Sequence, residues 1–176
     1  ADALELNTTG TANTAIGRLA LGENTTASNN VGIGHNALTA NTTGANNVAI
    51  GSLALDANTT GGNHVAVGYH ALGSNTTGAN HIAIGGQALK ANTTGSDNLA
   101  IGYSTLEKNT TGIRNVGVGS NALEDNVTGN YNVAVGYDVL REATASNNTG
   151  VGFEALKNNT TGSDSIAIGY QALHQG

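Results

Sequence analysis

Large and small apolar side chains recur along this chain in a short alternation that returns every 17 residues. One copy reads Asn47-Val48-Ala49-Ile50-Gly51-Ser52-Leu53-Ala54-Leu55, preceded by the polar corner Asn41-Thr42-Thr43-Gly44. Large, small, large over Val48, Ala49 and Ile50 is the period of a β-strand, with Val48 and Ile50 on one face and Ala49 on the other. Gly51 then turns the chain, and Ala54-Leu55 is expected to form a second short strand. The Asn-Thr-Thr-Gly segment makes the return corner, where Asn and Gly suit turn geometry. Helix is disfavoured, because two glycines recur in each copy, each costing about 1 kcal/mol in a helix interior.

Repeats open at Asn7, Asn24, Asn41, Asn58, Asn75, Asn92, Asn109, Asn126, Glu142 and Asn159, and only the step from Asn126 to Glu142 is 16 residues long. Ala1 to Leu6 reads as the tail of an earlier repeat and Gly176 as the start of another, so residues 1–176 form a single repeat domain. Numbering columns from each opening residue, column three is Thr throughout, including Thr144, and column eight is mostly Val, Ile or Leu. Column nine is Ala or Gly, column ten Ile or Val, column eleven Gly and column fifteen Leu. Such periodicity predicts an all-β parallel β-solenoid of about ten coils, one per repeat, roughly 48 Å long at about 4.8 Å per coil. Identical residues then stack into ladders of Ile/Val, Leu, Thr and Asn, the polar ladders satisfying corner amides and carbonyls.

Burial within one coil stack looks thin, with three large aliphatics to offset the ordering of a whole coil. The exclusion of large side chains from column nine therefore suggests close packing against another sheet or another subunit. Ala15, Ala49, Ala66, Ala83, Ala100, Ala134 and Ala167 are the expected oligomer interface. Composition sharpens this picture. With five Tyr, one Phe and no Trp, Met, Pro or Cys, the core must come from aliphatics, and neither a disulfide framework nor a thiolate metal site is available. A net charge of −6 argues against nucleic acid and anionic membrane surfaces as partners. No apolar run approaches the roughly 20 residues of a spanning helix, so membrane insertion is not expected. No signal peptide remains on a chain beginning at Ala1, which reads as a mature secreted chain or a segment of something longer.

The segments Asn47-Val48-Ala49-Ile50-Gly51, Asn132-Val133-Ala134-Val135-Gly136 and Ser165-Ile166-Ala167-Ile168-Gly169 resemble the Asn-x-Val-Ala-Ile-Gly repeat of YadA-like head domains of trimeric autotransporter adhesins. The longer form, Asn159-Thr160-Thr161-Gly162-Ser163 with Gly169-Tyr170-Gln171-Ala172-Leu173, is similar to repeats of phage tail fibres and bacterial surface proteins. The resemblance covers nearly the whole chain, although this repeat is longer than that of the usual head. It implies a left-handed β-roll, a homotrimer, and a structural or adhesive role in an extracellular, cell-surface or virion fibre that meets a host glycan or protein. Two alternatives stand beside it: a filament subunit that stacks end to end, and an ice-binding solenoid with ranked threonines.

Among candidate sites, Tyr69, Tyr103, Tyr137, Phe153 and Tyr170 share column twelve, where a strip of rings can stack on sugars or on another protein, or simply fill a corner or seam. His64 and His81 share column seven and are the metal candidates, against the plainer reading of two histidines replacing asparagines in a ladder. Asn-x-Thr opens nine repeats, an N-glycosylation pattern that also arises as a by-product of the corner. Adjacent threonines such as Thr42 and Thr43 point to opposite sides, so column three is left as a possible internal hydroxyl ladder. Glu124-Asp125 reads as a solvated acidic turn. No nucleophile triad, carboxylate pair or phosphate loop recurs, and the Gly-x-Gly steps precede no helix, so neither an enzyme nor a cofactor is expected.

Overall fold

A computed structural model describes residues 2–174; Ala1, Gln175 and Gly176, the last read above as opening a further repeat, lie outside them. Each repeat contributes one three-residue strand, from β1 (Thr14–Ile16), β2 (Val31–Ile33), β3 (Val48–Ile50), β4 (Val65–Val67) and β5 (Ile82–Ile84) to β6 (Leu99–Ile101), β7 (Val116–Val118), β8 (Val133–Val135), β9 (Thr149–Val151) and β10 (Ile166–Ile168). They form one parallel sheet in chain order. Equivalent columns pair throughout, Val48 with Val65, Ala49 with Ala66 and Ile50 with Val67. The chain is a β-solenoid.

The second strand expected at Ala54-Leu55 is absent. Those residues lie in a turn, and Leu55 adopts φ +55°. Leucines throughout column fifteen share this left-handed backbone, as do residues of columns six and thirteen such as Asn46 (φ +61°) and Leu53 (φ +59°). A left-handed L-residue costs roughly 1–2 kcal/mol, and here it turns each leucine into the coil. Hydrogen bonding between coils continues through these turns, Leu55 N donating to Ala71 O at 3.0 Å and Leu72 N to Ala88 O at 2.9 Å.

Inside the coil lie the leucines of column fifteen, the small residues of columns nine and fourteen, and two rows of asparagine. The column-fifteen leucines from Leu21 to Leu140 are fully buried. Column one forms a carboxamide ladder: Asn58 Nδ2 donates to Asn41 Oδ1 at 2.9 Å and also to the carbonyl of Gly61 at 3.0 Å. In column seven Asn47 Oδ1 receives the backbone N–H of His64 at 3.0 Å, and Asn47 Nδ2 donates to Gly61 O at 3.1 Å. These bonds satisfy corner groups that are costly to bury unpaired. The corner glycines serve packing, since a Cβ on Gly44 would collide with the Gly61 carbonyl oxygen.

Thr144 belongs to column two, not three. Ala143 N donates to Leu140 O just as Asn58 N does to Leu55 O, so Ala143, rather than Glu142, opens the short coil. Thr144 Oγ1 donates to Thr160 O at 2.7 Å, as column-two threonines do elsewhere. The omitted residue is therefore the column-three threonine. Column three is also no internal ladder: Thr26, Thr43, Thr60 and Thr77 are exposed.

Candidate functional site

The two faces of the strand are disposed opposite to expectation. Ala49, Ala66, Ala83, Ala100 and Ala134 are fully buried within their own chain, and Ala167 nearly so, while Ala15 in the first coil packs against the same core. They cannot form a subunit interface. Their size is set internally: a Cβ on Gly32, in the same column, would stand 3.2 Å from Leu21 Cγ and 3.3 Å from Ala37 O. The space between strand and leucine row holds nothing larger than a methyl group.

Columns eight and ten consequently point outward. Ile50, Ile84 and Ile101 are 37–38% exposed and Ile82 42%, each half-covered by its neighbours along the rod. Val48, Val65, Val67, Val116 and Val118 are similarly half-buried. The result is two parallel rows of mostly β-branched aliphatics running the length of the sheet, with no charged residue in any of the ten strands. Of the three large aliphatics per coil expected to be buried, only leucine is enclosed.

The aromatic column splits into two parts. Tyr137, Phe153 and Tyr170 stack on consecutive coils, with ring centroids 5.4 Å apart at both steps and planes inclined by 13° and 10°. Phe153 thus has a ring on each face, and Tyr137 and Tyr170 have one on a single face. Tyr69 and Tyr103 stand apart from that stack on either side of Gly86, 57% and 56% exposed. Tyr69 makes an edge contact with His70, and Gln87 Nε2 donates to the Tyr103 hydroxyl at 3.1 Å.

His64 and His81 are buried and stacked, their centroids 5.2 Å apart. Each ring occupies an asparagine's place in the column-seven ladder. His64 Nδ1 accepts the backbone N–H of His81, and His81 Nδ1 accepts that of Asn98, both at 3.2 Å. His81 Nε2 donates to Gly95 O at 2.6 Å. The Nδ1 lone pairs are thus occupied by hydrogen bonds, and His81 Nε2 carries its proton toward a carbonyl. Among the described residues no third His, Cys, Asp or Glu joins them in a metal-binding group. Burial, reinforced by the neighbouring charge of His81, lowers the pKa of His64 to about 3 against the bond to Gly78. Burial likewise lowers that of His81, outweighing its bonds to Gly95 and Asn98 and the charge of Asp97.

The acidic pair Glu124-Asp125 is not a bare solvated turn. Glu124 meets Arg141 at 2.7 Å one coil above, and Asp125 meets Lys108 at 2.6 Å one coil below. Asp138, Lys157 and Glu154 continue this network, with Lys157 Nζ 2.8 Å from Asp138 and 2.7 Å from Glu154. Burial pushes the Asp138 carboxyl up, but hydrogen bonds from Lys157 and Asn121 and the charges of Lys157 and Arg141 prevail, so its pKa is lowered. Opposite charges spaced 17 residues apart, as in Lys90–Glu107, Lys108–Asp125 and Glu124–Arg141, are the sequence signal that would have revealed several of these contacts.

Column-one asparagines make poor sugar acceptors: Asn24, Asn41, Asn58, Asn75, Asn92, Asn109 and Asn126 are fully buried. Among the described residues no helix is long and apolar enough to cross a membrane. Comparison with protein-family models, with curated proteins and with solved structures finds no match to this chain.

Proposed function

We propose that this chain is a structural and adhesive module, the shaft or head of an extracellular fibre, and that copies of it associate through the outward rows of Val and Ile. The observation that carries this reading is the uncharged aliphatic face of columns eight and ten. Ten strands at about 4.8 Å give it a length of about 43 Å. A contiguous apolar strip that long and two side chains wide is the kind of surface that marks an interaction site. Covering it with the same face of other copies would remove the half-exposed Ile50, Ile82, Ile84 and Ile101 from solvent together. The resemblance of Asn47 to Gly51 to adhesin-head repeats supports a homotrimer and a place on a cell surface or virion. A fibre of identical rungs would present many weak contacts to a surface glycan or protein, and repetition multiplies their effect.

Ice binding has one observation in its favour, the exposed threonine rank of column three. It is a single rank, because column-two hydroxyls such as Thr59 and Thr76 donate to the carbonyl of the next coil at 3.1 Å. Ile84→Glu with Ile101→Glu tests the fibre reading by light scattering. The parent should be an oligomer and the double variant a folded monomer with an unchanged far-ultraviolet spectrum. A monomeric parent, or a variant of unaltered mass, would remove the aliphatic face from assembly.

A further inference from the structure

The column-twelve ladder is interrupted where Gly86 stands between Tyr69 and Tyr103. Where rings occupy consecutive coils they stack with centroids 5.4 Å apart, as Tyr137, Phe153 and Tyr170 do. Coils four, five and six carry Tyr69, Gly86 and Tyr103 instead. At the same step, rings two coils apart would be separated by about 11 Å, and a third ring midway would lie within the 4.5–7 Å range of favourable aromatic pairs on both sides. Gly86 supplies a floor with no side chain, over which one edge of the Tyr103 ring leans: a Cβ there would meet Tyr103 Cδ2 at 3.4 Å and Cε2 at 3.7 Å. Column twelve also lacks a ring at Ser120, but there a side chain intrudes between Tyr103 and Tyr137.

The walls are held in place without a ligand. Gln87, next to the floor, donates to the Tyr103 hydroxyl at 3.1 Å, and Lys90 Nζ in turn donates to Gln87 Oε1 at 3.3 Å. Tyr69 rests edge-on against His70, with centroids 5.5 Å apart and planes at 78°. Aromatic walls fixed beforehand spare a ligand the cost of ordering them. We propose that the Gly86 interruption, bounded by Tyr69 and Tyr103, is a binding slot for one small planar aromatic molecule whose ring completes the ladder. This goes beyond the fibre reading and needs neither the aliphatic face nor any particular number of copies.

N-acetyltryptophanamide is a suitable probe, because the chain contains no Trp and all indole emission comes from the ligand. Titration of the whole chain should give a saturable blue shift with one site per chain. Gly86→Phe places a ring in the slot and should abolish the shift. Tyr69→Leu and Tyr103→Leu should each weaken binding about tenfold, the worth of one stacked face, whereas Tyr170→Leu, at the far end of the column, should leave it unchanged. Absence of a saturable shift in the parent would overturn the proposal. So would undiminished binding by Gly86→Phe, or equal weakening by Tyr170→Leu and Tyr69→Leu. Should Gly86→Phe fail to fold, the comparison of the exposed Tyr69, Tyr103 and Tyr170 variants still decides the matter.

Discussion

Mild acid should loosen this rod at its fourth and fifth coils. His64 and His81 lie between asparagine neighbours of the same column, Asn47 below and Asn98 above, and face Asn75 and Asn92 across the coil. Their charged surroundings are each other and the nearby Asp97. Protonating either Nδ1 would turn an acceptor into a donor aimed at a backbone N–H, with no room for the pair to rearrange. The unfolded chain takes up a proton on His64 below about 6.5, and the folded chain only near 3. Between those values the unfolded state binds more protons, so stability falls as pH falls. At about 1.4 kcal/mol per pH unit, His64 accounts for roughly 3 kcal/mol lost by pH 4.5 and roughly 4 kcal/mol by pH 3. His81 adds to the loss in the same direction. Paired carboxylates such as Asp138, whose pKa is lowered, also lose stabilisation in acid, but below the ordinary carboxylate range. Urea unfolding followed by circular dichroism at pH 7 and pH 4.5 separates the two effects. Changing both histidines to asparagine should restore an unbroken carboxamide row and remove most of the acid loss. If parent and double variant lose equal stability over this interval, the buried-histidine reasoning is wrong.

Two further expectations concern the interior. Ala143 interrupts the column-one ladder and leaves the buried Asn126 Oδ1 without a partner; Ala143→Asn should supply the missing amide and raise stability by about 1 kcal/mol, visible as a higher melting temperature. Ala66→Leu should destabilise the chain by at least about 1–3 kcal/mol through overpacking against the leucine row, measured by urea unfolding; an unaffected midpoint would mean that column nine has space the structure does not show.

Much of this molecule was legible in one dimension. A period of 17 residues with alternation at columns eight to ten already specifies parallel strands in register, because only stacking of like on like keeps every column constant. The ladders of Asn and Leu, the ring stack at Tyr137, Phe153 and Tyr170, and the place of His64 and His81 in an asparagine row all follow from that register. Which side of the strand is enclosed does not follow. Alternation distinguishes two faces without saying which one looks inward, and hydrophobicity alone favours burying Val and Ile. Tertiary structure decided the opposite, because Leu21 and Ala37 approach the strand so closely that only Ala or Gly fits between. The left-handed leucines that bring about this approach have no signature in composition, since leucine rarely adopts that backbone and does so here only because the whole coil closes around it. The omitted threonine was equally hidden: spacing shows that one residue is missing before the ninth strand, but only the bonds made by Ala143 and Thr144 show which.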